Sequence, residues 1–288
     1  MATKPDFIII GAMKCATSSL HTQLAHQSGI FMTSPKEPNF FSDDPQYARG
    51  LSWYEALFKD AQFGELCGES STHYTKLPDY PQCVERLSTY APHVKLIYVM
   101  RHPIDRLVSH YIHQWSQNVF SCEINQAVDQ YEELVSYGCY ARQLEPYIQA
   151  YGKENILPVF FEAVKARPQR ELEKIARFIG YTQSVTWHED LALQNVSNKR
   201  IKHFWGYDLL VESKIMTLLR RHLIPQFIRD RIKNNLTMQN RPALDEMNIK
   251  KLTAIFDGDL KTLGSWLGIE LNCGNFATLA LSESLDWR

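Results

Sequence analysis

The chain has 288 residues, 44% hydrophobic and 22% charged, enough apolar content for one large core or two modest ones. A formal net charge of -1 supplies no global basic field for nucleic acid or an anionic membrane surface. The composition therefore argues for a small or neutral substrate and against a nucleic-acid partner.

Six cysteines, at 15, 67, 83, 122, 139 and 273, form no CxxC pair, and no His/Cys spacing suits zinc. A reduced, cytoplasmic protein without a metal site is expected. No stretch approaches the roughly 18 apolar residues of a membrane span. The apolar run Phe7 to Met13 is too brief for a signal segment and reads as a strand.

That first strand, "DFIIIGA" (6–12), runs into Lys14, Cys15, Ala16, Thr17, Ser18 and Ser19, and then into a helix from Ser18 to Gln27. A strand-to-helix turn aims free amide N–H groups at one spot, where the helix dipole favours an anion. Lys14 adds a full charge and the hydroxyls add donors. The nucleoside-triphosphate loop G-x-x-x-x-G-K-[ST] is absent, because Lys14 follows Gly11 by three and no Gly-Lys-Ser/Thr occurs. On this loop alone, an anion site and a surface lysine before a threonine cap are equally good readings.

A second strand, "ELCGES" (65–70), is short and interrupted by Gly68, and a helix from Pro81 to Tyr90 follows. The third strand, "VKLIYVM" (94–100), ends at Arg101 and leads into a proline-initiated helix, Ile104 to Gln117, carrying Ser109 two turns in. Two strand-end cations in one sheet are best explained by a ligand with two separated phosphates. A helix from Ala141 to Tyr151 precedes the fourth strand, "NILPVFFE" (155–162). Helices follow over 167–180 and 244–268, the latter with Leu252, Ile255, Phe256, Leu260 and Leu263 on one face.

Strands alternating with helices imply an α/β fold: one domain over 1–288, with a central parallel sheet flanked by helices. Ligands bind such sheets at the strands' carboxyl ends, where Lys14, Glu69 and Arg101 fall. The segment 199–235 is basic and apolar together. Its plainer reading is a helical pair with solvated arginines; the sharper one is a lid or a surface for peripheral membrane contact.

With both anion segments in hand, the chain resembles sulfotransferases that use 3′-phosphoadenosine 5′-phosphosulfate, on the heparan-sulfate-like and bacterial side of that family. "GAMKCATSSL" is similar to the family's 5′-phosphosulfate loop, K-x-G-T-[ST], and "RHPIDRLVSHY" to its 3′-phosphate motif, R-x-P-x-x-R-x-x-S-x-Y. Further likenesses are "SPKEPNFF" (34–41), "GESSTHY" (68–74), "GCYARQLEPYIQAYGKENILPVFFE" (138–162) and "RPALD" (241–245). The resemblance implies the family's P-loop-like nucleotide-binding fold.

It also implies that Lys14, Cys15, Ala16, Thr17, Ser18 and Ser19 hold the donor's 5′ side. Arg101 and Ser109 would hold its 3′-phosphate, with Tyr140 and Arg241 bordering the nucleotide. Lys14 would neutralise the leaving phosphate, and no metal would be needed. Glu37 stands where heparan-type relatives place their catalytic glutamate, with His73 as the competing base. His21, His102, His110 and His113 read as surface or packing residues. The acceptor hydroxyl stays open between carbohydrate, lipid and small alcohol. A nucleotide kinase and a non-catalytic nucleotide-binding protein are the rival readings. Two departures stand out: Ala16 replaces the usual glycine before Thr17, and Ser70 replaces a lysine common after the "GE" pair.

Overall fold

Four consecutive apolar residues, Phe7 to Ile10, are each 0% exposed in strand β1 (Phe7–Gly11), so both faces of the sheet must be covered. In the computed structural model, which describes residues 4–191, 240–282 and 285–288, helices supply that cover. The basic-apolar segment 199–235 lies outside the described residues.

From β1 the chain enters α1 (Thr17–Ala25), β2 (Ile30–Met32), α2 (Asp44–Tyr47), α3 (Leu51–Glu55) and β3 (Leu66–Ser70). A 3-10 turn, Thr72–Thr75, precedes α4 (Cys83–Tyr90) and β4 (Lys95–Met100). Then come α5 (Pro103–Ser116), α6 (Ile124–Gln130), α7 (Glu133–Ser136), α8 (Tyr140–Tyr151) and β5 (Ile156–Phe160). The described elements after β5 are α9 (Phe161–Ala166), α10 (Pro168–Phe178), α11 (Glu246–Leu267) and α12 (Phe276–Ala280). Among the described residues, no helix is long and apolar enough to cross a membrane.

All strand pairs are parallel, in the order β2-β3-β1-β4-β5. The chain passes to one side of β1 through β2 and β3, then crosses to the other through β4 and β5. The reversal opens a crevice at the carboxyl ends of β1 and β4, where such sheets bind ligands. The four expected strands form the sheet's body. The edge strand β2 was not foreseen, because three residues are too few to show a period.

Gly68 does not weaken β3; it lets the strands close. A Cβ there would stand 2.3 Å from the Phe7 ring and 2.5 Å from the Met32 sulfur. The 244–268 helix forms as α11, capped by the Asp245 side chain on the Asn248 amide at 2.7 Å. Leu252, Phe256, Leu260 and Leu263 are buried as expected, but Ile255 is 40% exposed and faces away from them. Glu69 also departs from expectation. It is 0% exposed and accepts from Tyr54 and Ser71, so it braces the core and does not face a ligand.

Candidate functional site

Beyond β1 the backbone takes conformations that most side chains avoid. Gly11 has φ +157°, and a Cβ there would stand 2.0 Å from Thr75 Oγ1. Lys14 (φ 72°) and Ala16 (φ 65°) are left-handed, and Ala16 sits at the N-cap of α1. The side chain of the N-cap residue Ala16 does not cap α1. Its first-turn amides, over Thr17 to Ser19, therefore keep their capacity for an anion, with the helix dipole behind them. Cys15 is fully buried, and burial pushes its thiol up to about 12, so only its backbone can serve a ligand.

The second cationic loop follows β4, the neighbour of β1. The Arg101 guanidinium lies over the Phe161 ring at 4.7 Å, and its buried Nε has no hydrogen-bond partner among the described residues. A buried, unsatisfied guanidinium N–H at a strand end fits the oxygen of an anionic group. Ser109 is 5% exposed on α5. Arg241 reaches the first turn of α5 through Asp105, at 3.0 Å. Arg106, the second arginine of the motif, is fully buried and donates to the Leu134 carbonyl at 2.5 Å, so it belongs to the scaffold.

Tyr140 does not border a ligand through its own surface, for it is 0% exposed. Its hydroxyl donates to the Arg101 carbonyl at 2.5 Å, accepts from the Arg101 amide at 3.2 Å and touches Cys15 Sγ at 3.9 Å. One phenol thus joins the loops after β1 and β4. Its helix is seated by Asp259 of α11, which accepts from the Ala141 and Arg142 amides at 2.9 and 3.0 Å.

A second cluster gathers around the end of β3. The Glu37 amide donates to the Ser70 carbonyl at 2.9 Å, and its carboxylate pairs with Lys36. Burial pushes that carboxyl up, but Lys36, Lys76 and His73 together hold it below the usual carboxylate range. The His73 Nδ1–H donates to Asp43 Oδ1 at 2.8 Å, and its ring stacks on Tyr80 at 4.8 Å. Burial, then Lys76, lowers the His73 pKa against the pull of Asp43, leaving a neutral ring with Nε2 as an acceptor.

His21, read from sequence as a surface or packing residue, belongs to this cluster. Its Nδ1 is 2.9 Å from Ser70 Oγ, and burial together with Lys36 lowers its pKa to about 4. Its place four residues after Thr17, on the same face of α1, was the available signal. Asp43, six residues after Glu37, and Lys76, three after His73, join the cluster because the fold brings these two stretches together.

A family model described as "Sulfotransferase domain" matches residues 4–264. The mouse "Heparan sulfate glucosamine 3-O-sulfotransferase 3B1" is 28% identical over 191 residues, 63% of this chain and 47% of that protein. The human "Bifunctional heparan sulfate N-deacetylase/N-sulfotransferase 1" is 24% identical over 208 residues, 65% of this chain and 23% of that protein. The chain thus spans about half, or less, of the length of these relatives. The solved structure of a sulfotransferase from Alicyclobacillus acidocaldarius covers 93% of this chain and 98% of its own at a TM-score of 0.66. With 20% identity, that likeness establishes a shared fold.

Proposed function

The chain belongs to the sulfotransferase-domain family, and from that premise we propose that it transfers a sulfuryl group from 3′-phosphoadenosine 5′-phosphosulfate to an acceptor hydroxyl. One observation carries the reading. Two cationic loops on adjacent strands, one opening an uncapped helix and one holding an unsatisfied arginine N–H, are tied together by Tyr140. Such a pair suits a nucleotide with phosphates at both ends of its ribose. A kinase would need the Gly-Lys-Ser/Thr that the sequence lacks.

Sulfuryl transfer, like phosphoryl transfer, is a loose in-line displacement governed by positioning and charge. The acceptor oxygen attacks sulfur as the bond from sulfur to the 5′-phosphate oxygen breaks. The electron pair stays on that oxygen, where Lys14 and the α1 amides offset its growing charge. The acceptor's proton passes to Glu37. His73, its Nδ1 fixed by Asp43, is the second group able to accept that proton.

The 3-O-sulfotransferase name of one relative supports a carbohydrate hydroxyl as acceptor, and the N-sulfotransferase name of the other an amine. All six cysteines are free, which supports a reducing, cytoplasmic setting. A labelled-sulfate transfer screen over carbohydrate, lipid and small-alcohol acceptors tests the reading. Label should move to at least one hydroxyl class; a protein that binds the donor but labels none is not a transferase of this kind.

A further inference from the structure

Lys76 is a cation that nothing yet described uses. It is only 8% exposed, and its ammonium makes no hydrogen bond and no ion pair among the described residues. It stands over the Tyr137 ring, at 5.6 Å. Burying a lysine in this way is costly unless something compensates the charge.

The backbone on either side is fixed. Thr75 donates to the Ile10 carbonyl at 2.8 Å, which ties the residue before Lys76 to the end of β1. The Leu77 amide and carbonyl are both held by the Gln143 side chain, at 2.8 and 2.9 Å. Lys76 is therefore set in place and is not a loose surface side chain.

Charged groups from several elements surround it. Glu37 from the loop after β2, Asp43 before α2, Asp79 after the 3-10 turn and Arg106 of α5 all act on its charge. Lys76 in turn acts on His73, and together with Lys14 on His110. Burial lowers its pKa to about 8 against the pull of those carboxylates. Ser70, with its hydroxyl bound to His21, brings no charge to the end of β3.

We propose that Lys76 is a catalytic residue whose ammonium binds the oxygens of the sulfuryl group as it passes from donor to acceptor. Lys76 keeps its proton throughout; the bonds formed and broken are those already given. The inference rests on the sulfotransferase reading. It predicts that the ammonium senses the one group by which 3′-phosphoadenosine 5′-phosphosulfate differs from 3′-phosphoadenosine 5′-phosphate.

Calorimetric titration of both nucleotides at pH 8.5, in two buffers of different ionisation enthalpy, reads this directly. The sulfated donor should draw a fraction of a proton more than the product, because an anion raises the pKa of a half-neutral lysine. Lys76→Met should abolish that excess and weaken donor binding roughly tenfold, the scale of one charge-assisted contact, while product affinity holds within about twofold. Lys76→Arg should keep donor affinity without proton uptake, since arginine stays charged. If Lys76→Met does not fold, the wild-type excess and its loss in Lys76→Arg still decide. Equal proton uptake for both nucleotides, or unchanged donor affinity in Lys76→Met, would overturn the role. A wild-type protein that binds neither nucleotide overturns the sulfotransferase reading itself, and this role with it.

Discussion

The Tyr140 hydroxyl holds Arg101 by both its backbone groups, donating to the carbonyl at 2.5 Å and accepting from the amide at 3.2 Å. Because the same oxygen touches Cys15, the loops after β1 and β4 share one rivet. Tyr140→Phe keeps the ring but leaves buried backbone groups of Arg101 without their partner. It should lower stability by about 1–3 kcal/mol and weaken nucleotide binding as the two loops loosen. Thermal denaturation and calorimetry check this. Unchanged affinity would mean that each loop is held independently.

Ala16 invites the opposite kind of test. Its φ of 65° and ψ of 22° are left-handed, which costs an L-residue roughly 1–2 kcal/mol. Ala16→Gly removes that strain and adds about 0.4–1 kcal/mol of unfolded-chain entropy. The net expectation is a modest gain in melting temperature with nucleotide binding retained. A clear loss of stability would show that the Ala16 methyl packs usefully.

The body of the fold was legible because four buried strands and their helices repeat the α/β pattern strongly. Both cationic loops were legible because a cation placed directly after an apolar strand stands out in the sequence. Half of the second cluster was not. The stretches carrying His21, Glu37 with Asp43, and His73 with Lys76 converge only in the fold, and a linear sequence shows no such convergence. For Tyr140 the sequence left a core tyrosine and a nucleotide neighbour both open, since spacing does not say whether a tyrosine presents its face or its hydroxyl.

Lys14→Ala should leave folding nearly intact and lower turnover by roughly a hundredfold or more, as expected for losing a charge contact to the leaving group. Single-turnover transfer beside a melting curve measures both. A folded variant with near-normal turnover would reduce Lys14 to a surface lysine.

For the base, Glu37→Gln preserves shape but cannot take a proton. Transfer should fall by roughly a hundred- to ten-thousand-fold while donor affinity persists, and His73→Asn should be milder. The reverse ranking would assign the proton to the Asp43-oriented His73.

Glu37 also sets a pH signature of stability. Its carboxyl sits below the ordinary value of 4.5, so the ionised form favours the folded state. That contribution is fully present above the ordinary value and is lost as pH falls through the depressed one. Glu37→Gln should therefore melt below wild type at pH 7, with the gap narrowing under acid. A gap independent of pH would point to packing and not to charge.

A donor site built for two separated phosphates should distinguish nucleotides by their 3′-phosphate, and melting temperature in the presence of nucleotide measures that. Ligand binding to the native state raises stability by mass action. Adenosine 5′-monophosphate lacks the 3′-phosphate assigned to Arg101 and Ser109. At equal concentration, 3′-phosphoadenosine 5′-phosphate should raise the melting temperature clearly and the monophosphate only slightly, with Arg101→Ala erasing the difference. Equal shifts from the two nucleotides in the wild-type protein would contradict the account.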